Sequence, residues 1–452
     1  MSVGLVASCG RVGFDEPGPD AAGAGPTRLQ WSRSFTSPGF ARIYNVATAG
    51  QTSAFVVTHA DDLLDRASGA TVAGGSTGVR SFLLAVDEVG ATRWSQPLVA
   101  ENFCDIRSAD LGGDELVLAG LTQGAVLGSG NPCDLGGAVQ QPMLLRFGLD
   151  GAVRGTTTFT ASGSNGANGQ AWYARHTGGG DVVSAGIYGD ALRVDGVDLP
   201  PGPTCCDATF VARSGATRWS HGLSDDQDLY PRGVELADDG DLCLAGRFID
   251  DATILGRALV SAGGVDVWVA RVDGLTGQAR FVAAYGSAGD DDPAGVTASD
   301  TGCVIALTTP SAVVLGDREL PHAGGRDVAV LHVDGSGVRA SQVLGGPGVE
   351  QGSGLSRDGA TRYLLVSFDS PIRIGGTDLT PRGPGDALLI ALDDTSARVV
   401  DHLRSDAAIV AGLSGNGPAL GLTGVFAAAV TSERGLAVDA GDGVFAVVYA
   451  LD

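Results

Sequence analysis

The chain has 452 residues, with 52 acidic side chains against 29 basic ones and a net charge of −23. Its 71 glycines follow no three-residue period, which excludes a collagen-like fibre, and 44% hydrophobic with 18% charged residues is too apolar for disorder. All 29 basic residues are Arg, no apolar run reaches the ~18–20 residues of a membrane-spanning helix, and the acidic balance argues against nucleic acid or an anionic membrane surface as partner.

The chain opens Met1-Ser2-Val3-Gly4-Leu5-Val6-Ala7-Ser8-Cys9. The string Val6-Ala7-Ser8-Cys9 is similar to the lipobox of bacterial lipoprotein signals: an aliphatic residue, two small ones and a cysteine that becomes the lipidated first residue. That resemblance implies export and a lipid anchor on Cys9. The other reading is an uninformative tail, because the apolar run before Cys9 is short and contains no basic residue. Residues 15–26 are rich in Pro, Gly, Ala and acids and read as a flexible tether that buries no core. Residues 1–27 are thus assigned to a signal remnant and tether.

A repeat of about 60 residues fills the rest. Ala91-Thr92-Arg93-Trp94-Ser95 returns as Ala216-Thr217-Arg218-Trp219-Ser220, with weaker copies at Trp31, Arg154, Phe281, Arg339 and Arg398. Residues 28–452 accommodate seven copies, and each shows four strands in order. In the fourth copy Gly233-Val234-Glu235-Leu236-Ala237 leads through an Asp-Gly turn at Gly240 to Leu242-Cys243-Leu244-Ala245-Gly246-Arg247-Phe248. A longer loop then precedes Asp266-Val267-Trp268-Val269-Ala270-Arg271-Val272, and a turn through Gly274 and Gly277 opens Ala279-Arg280-Phe281-Val282-Ala283. Alternation at period two between Gly-containing turns is the hairpin signal.

Four antiparallel strands per unit, seven times over, predicts an all-β, seven-bladed β-propeller of four-stranded blades. Residues 29–35 read as a fourth strand and residues 444–451 as a third. The N-terminal strand is therefore expected to complete the last blade and close the ring. Gly263-Gly264-Val265-Asp266 and Gly324-Gly325-Arg326-Asp327 before the third strand, Val-Asp after it, and Arg-Trp or Arg-Phe opening the fourth resemble the bacterial SBBP-type β-propeller repeats. The resemblance spans residues 28–452 and implies an exported or surface protein. Asp273-Gly274-Leu275-Thr276-Gly277 is also similar to the docking motif of pyrroloquinoline-quinone-type propellers, but it occurs cleanly once.

Few side chains point to chemistry. Cys104 and Cys133 fall in one repeat and are the first pair to expect as a disulfide, whereas Cys243 and Cys303 lie in apolar strands and read as buried free thiols. The loop acids Asp225, Asp226, Asp228, Asp290, Asp291 and Asp292 offer hard oxygen ligands for Ca²⁺, yet they lack the specific D-x-[DN]-x-[DN]-G spacing. They serve equally as acceptors of backbone N–H groups in tight connections. The aspartate before the third strand (Asp207, Asp266, Asp327, Asp386, Asp442) recurs and reads as such an acceptor rather than a catalyst. Gly74-Gly75-Ser76-Thr77-Gly78 matches the nucleophile-elbow string but lies in a loop of an all-β repeat. His332, in an apolar strand, reads as a hydrogen-bonded core residue. Counted back from the first turn, one innermost column is Asn45, Ser108, Arg175, Glu235, Thr297, Gly354 and Gly412. Its single carboxylate offers no glycosidase-type acid/base pair.

These readings converge on a monomeric, exported propeller, lipid-anchored at the outer membrane or cell surface, that binds or scaffolds a protein or polysaccharide. No catalytic residue, metal, cofactor or nucleic acid is expected, and membrane contact runs only through the anchor. The alternatives are a propeller hydrolase or lyase acting on extracellular polysaccharide and a calcium-dependent adhesion module.

Overall fold

The computed structural model describes residues 27–38, 40–73, 80–98, 103–123, 140–157, 159–162, 169–177, 179–189, 191–202, 207–223, 229–415 and 419–451. Cys9, the tether, the Gly74–Gly78 string, Cys133, Cys205, Cys206, Asp225, Asp226 and Asp228 lie outside these residues. Among the described residues every regular element is a strand, and no helix is long and apolar enough to cross a membrane.

Antiparallel pairing groups the longer described strands, in chain order, into five four-stranded sheets and two six-stranded ones. The fourth is typical: Tyr230–Leu236, Leu242–Ile249, Val265–Val272 and Ala279–Tyr285 pair in that order. The first strands of the others are Ala41–Ala49, Phe103–Gly112, Gln170–His176, Asp292–Ala298, Glu350–Asp358 and Val410–Ser414. Each sheet is packed on both faces, which is why its middle strands read as nearly unbroken apolar runs. Along Leu242–Ile249, Leu242 and Leu244 join a cluster shared with the third sheet, while Cys243 and Ala245 join one shared with the fifth.

Seven such clusters of 13 to 18 buried residues lie among the described residues, each shared by two neighbouring sheets. The seventh holds Phe35, Val444 and Val448 from the last sheet against Phe55 and Leu84 from the first. At ~1.5–3 kcal/mol per fully buried large side chain, these interfaces dominate the stability. The first strands touch in the same cyclic order, and Val410–Ser414 comes back against Ala41–Ala49.

The last sheet takes its outer strand from the other end of the chain. Thr27–Thr36 pairs antiparallel with Gly443–Leu451, from Arg28 opposite Ala450 to Phe35 opposite Val444, with a register shift between Leu29 and Trp31. A short hairpin of the first sheet, Leu63–Asp65 and Thr71–Ala73, then pairs onto Thr27–Thr36. In the same way Val430–Ser432 and Ala437–Val438 of the seventh sheet cover the outer strand Ala397–Ser405 of the sixth. These hairpins shield edges that would otherwise present unpaired backbone groups.

Cys243 and Cys303 are not free thiols. They form a disulfide, Cα–Cα 5.7 Å, that ties the second strand of the fourth sheet to that of the fifth. The two cysteines stand 60 residues apart, one repeat period, but Cys243 is the second residue of its strand and Cys303 the first. Since successive side chains alternate between faces, that one-residue offset turns both toward the same interface. Cys104 is also disulfide-bonded; the residue expected opposite it, Cys133, is outside the described region.

Candidate binding site at the channel mouth

The first strands carry a recurrent irregularity that the period-two reading does not contain. In five of them one residue is inserted between ladder pairs: Arg107 between Ile106 and Ser108, then Trp172, Arg232, Ala294 and Ser353 at the matching places. In the first sheet Tyr44 and Asn45 together stand opposite Val56. A β-bulge of this kind re-aims side chains, and here it turns them into the space enclosed by the seven first strands. Gly233, Gly295 and Gly354 follow three of the bulges. A Cβ there would meet the next sheet's first strand at 2.7 Å (Val296), 2.8 Å (Leu355) and 2.6 Å (Leu413), so close approach of neighbouring strands requires glycine.

The enclosed space is a channel with two cavities. One, of about 290 Å³, is lined by residues from all seven first strands, among them Tyr44, Arg107, Trp172, Tyr173 and Arg232. The other, of about 610 Å³, lies toward the turns that end those strands. Arg175 and Glu235 line both. They belong to an ion-pair chain across the channel: Arg175 lies 3.7 Å from both Asp110 and Glu235, and Arg357 lies 3.5 Å from Glu235 and 2.6 Å from Asp238. Arg357 comes from the sixth sheet and reaches the fourth. Its hydrogen bonds hold the Asp238 carboxyl below the usual range, and Asp238 in turn raises Arg357.

Above this bridge, arginines and aromatic rings alternate along the rim. Arg42 lies over the rings of Phe40 (5.5 Å) and Tyr44 (4.7 Å), and Arg107 over Tyr44 (6.0 Å) and Trp172 (5.2 Å). Trp172 stacks on Tyr230 at 5.7 Å, and Arg247 covers Tyr230 at 4.7 Å. Asp105, fully buried, anchors the row by accepting from Arg42 (2.9 Å) and Arg107 (3.3 Å). Each cation–π contact is worth ~0.5–2 kcal/mol, enough to order long side chains that would otherwise sample many rotamers. Burial, reinforced by the Asp105 charge, pushes the Tyr44 hydroxyl up to about 12. Tyr173 is raised by burial as well, against the opposing charges of Arg232, Arg175 and Arg107, which line the same cavity.

Of the column counted from the turns, Asn45, Ser108, Arg175, Glu235, Gly354 and Gly412 line the cavity, whereas Thr297 is buried outside it. The count ran out of register because it ignored the bulges: Ser108 and Gly354 directly follow theirs, while Arg175 and Glu235 stand two residues further on. Asn45 and Ser414 act as stitches between first strands. Asn45 donates to the Ala109 carbonyl at 2.7 Å and accepts from the Ala109 amide at 2.9 Å, and the Val46 amide donates to Ser414 at 3.0 Å. The rim arginines escaped the sequence reading, since lone arginines in bulged strands carry no spacing signal.

The loop acids that are described do not converge. Asp290 accepts the Val265 amide at 3.0 Å, Asp291 the Ser287 amide at 2.6 Å, and Asp292 lies 3.7 Å from Arg247. Among the described residues no three His, Cys, Asp or Glu side chains group as metal ligands. The aspartates before the third strand do accept backbone N–H groups four residues upstream: Asp327 from Ala323 at 2.6 Å, Asp386 from Arg382 at 2.9 Å, and Asp266 from Ala262. His332 is half-buried rather than a core residue, its ring 3.2 Å from Asp394. Two other described histidines are buried: His59, whose Nδ1 lies 2.6 Å from the Asp61 carbonyl, and His402, 2.8 Å from Asp386.

No family model matches the chain, and no curated protein matches it. Among solved structures it is similar to the β-propeller domain of the Trilobed protease from Pyrococcus furiosus, at 10% identity over 81% of this chain and 96% of that one, TM-score 0.38. Virginiamycin B lyase from Staphylococcus aureus matches at 8% identity over 93% of this chain and 100% of that one, TM-score 0.39. BamB from Moraxella catarrhalis matches at 11% identity over 92% and 99%, TM-score 0.33. Likenesses this distant assign neither activity nor partner, and the architecture stands on the strand pairing described above.

Proposed function

We propose that the chain is a seven-bladed β-propeller of the SBBP-type repeat class, closed by its N-terminal strand, that serves as a binding module in the bacterial cell envelope. Seven sheets, seven shared clusters and the pairing of Thr27–Thr36 with Gly443–Leu451 support the closed ring. The ligand enters at the arginine- and aromatic-rimmed mouth. The observation that carries this reading is the bulge set, which sacrifices ladder regularity in successive sheets to aim Arg107, Trp172 and Arg232 into one cavity.

Binding is favoured over hydrolysis because four of the five carboxylates lining the two cavities, Asp110, Glu115, Glu235 and Asp238, are engaged by arginines and so are poor general acids. The Cys243–Cys303 disulfide supports an oxidising compartment, and with the lipobox-like Val6-Ala7-Ser8-Cys9 it supports export and a lipid on Cys9. Two measurements test the proposal. Radiolabelled palmitate should label the wild-type protein in its host and not Cys9→Ala; label persisting in the variant refutes the anchor. Cosedimentation with isolated envelopes should fall when Arg232→Glu reverses the charge of the mouth; unchanged cosedimentation refutes the mouth as the binding surface.

A further inference from the structure

We propose that the smaller cavity binds a single oxyanion, a carboxylate or phosphate group carried on a body no larger than a sugar ring, between Arg107, Arg232 and the Tyr173 hydroxyl. The inference rests on the binding-module reading and names the ligand chemistry of that site.

Charge within the channel is strongly polarised. The smaller cavity is lined by three arginines, Arg107, Arg175 and Arg232, against one carboxylate, Glu235. The larger is lined by Asp110, Asp114, Glu115, Glu235 and Asp238 against Arg175 and Arg357. In a chain of net charge −23 this is a local reversal of sign, and it faces one way only. An anion is attracted to one side and repelled from the other, where the Arg175–Glu235–Arg357 bridge also stands in its path.

Arg232 is the second observation. It enters none of the ion pairs among the described residues, and its buried Nε has no hydrogen-bond partner. A guanidinium fixed on a bulge at a cavity wall, with a donor unsatisfied, is costly unless a ligand completes it. Glu235 cannot do so, because Arg175 and Arg357 hold it from either side.

Arg107 is prepared for the same task by a different route. Two rings lie against its guanidinium, Tyr44 at 6.0 Å and Trp172 at 5.2 Å, and Asp105 takes its Nε at 3.3 Å. The in-plane terminal N–H groups are what remain, and they match the geometry of carboxylate and phosphate oxygens. Because rings already lie against it, the stack offers no platform for a neutral ring; the ligand is selected by charge. A cavity of about 290 Å³ sits at the lower edge of the roughly 300–1,000 Å³ usual for small-molecule sites, which fits one ring or a chain end rather than the interior of a polymer.

The test is isothermal titration of the full chain at low ionic strength with D-glucuronate, inorganic phosphate and D-glucose, using the wild type, Arg232→Met, Arg107→Met and, as control, Arg404→Met. Arg404, on the outer strand of the sixth sheet and away from the cavity, pairs with Glu433. Saturable binding of glucuronate or phosphate is expected, weakened about tenfold to a hundredfold by Arg232→Met and unchanged by Arg404→Met. Glucuronate alone identifies a carboxylated sugar, and phosphate alone a phosphorylated ligand. If Arg107→Met fails to fold, Tyr173→Phe removes only a hydroxyl and should still weaken binding several-fold. Binding of glucose as tight as that of glucuronate, no binding of either anion, or an unaltered affinity in Arg232→Met overturns the proposal. If anions fail to bind while Arg232→Glu still abolishes envelope cosedimentation, the mouth remains the binding surface and only the oxyanion assignment falls. If anions bind as expected while cosedimentation is indifferent to Arg232, the envelope role falls and the site stands.

Discussion

Replacing Glu350 by Gln should stabilise the protein at alkaline pH and leave it unchanged in acid. Glu350 is fully buried and accepts the Gly346 amide with one oxygen at 2.8 Å. Its other oxygen has no hydrogen-bond donor among the described groups, and neither has Oδ1 of the buried Asp327 beside it. Burial first, and then the charges of Asp327 and Asp369, push Glu350 from 4.5 up to about 7; His322 stands on the far side of Asp327 at 3.1 Å. The folded state therefore holds a proton that the unfolded chain releases near 4.5. The stabilisation is complete below that value, declines as pH rises, and is gone above about 7. A displacement of this size corresponds to at most roughly 3 kcal/mol. Gln keeps the oxygen for Gly346 and carries no charge, so the repulsion with Asp327 and Asp369 never develops. Urea unfolding should show Glu350→Gln more stable than wild type by about 2 kcal/mol at pH 8.5 and equal to it at pH 4.5. A stability difference that does not change with pH would refute the reasoning. Asp291, pushed up to about 6 by burial and by Asp266, is the equivalent group one repeat earlier, and Asp291→Asn should behave in the same direction.

Three further outcomes follow from the fold. Replacing Cys243 and Cys303 by Ala should cost about 4 kcal/mol, the chain-entropy value for a loop of 60 residues, read as a lower guanidinium midpoint; a loss below about 1 kcal/mol would show that the cluster holds the two sheets without the clamp. Deleting residues 28–36 removes the strand paired with Gly443–Leu451 and its Trp31 and Phe35 anchors, so the melting temperature should drop sharply, and an unchanged melt would rule out a role in closure. Gly354→Ala drives a methyl into the Leu413 backbone and should destabilise by about 1–3 kcal/mol, measured by thermal unfolding, whereas Gly359→Ala, with open space around it, should show only the smaller effect of a strained turn.

The strand plan was legible because it is written in a two-residue period punctuated by glycine. The expected run from Leu242 to Phe248 is observed as Leu242–Ile249, and that from Asp266 to Val272 as Val265–Val272. The edge hairpins were read as plain loops. Ala252–Ile254 and Arg257–Leu259, or Ile372–Ile374 and Thr377–Leu379, are three-residue strands with mixed polarity, too short to show any period. The disulfide was missed because pairing depends on a one-residue offset between two strands, which spacing alone leaves ambiguous. Asp291, read as a loop acid, is fully buried, as is Glu350, since burial is set by the neighbouring sheet and not by the local string. The site was illegible for a related reason. Tyr44, Arg107, Trp172 and Arg232 sit where alternation breaks, so a reading that relies on alternation assigns them to the wrong face.

The bulges have a consequence for how such a protein changes over time. A residue inserted between ladder pairs has no partner across the strand, so its identity is free of that constraint, although Ala294 still packs against the cluster shared by the fifth and sixth sheets. Arg232, Ala294 and Ser353 occupy this place in three successive sheets and differ in size, charge and polarity over the same backbone. Lining and scaffold thus vary independently. New ligand preferences are reachable by single substitutions at the rim, while the buried clusters that hold neighbouring sheets together keep most of their packing.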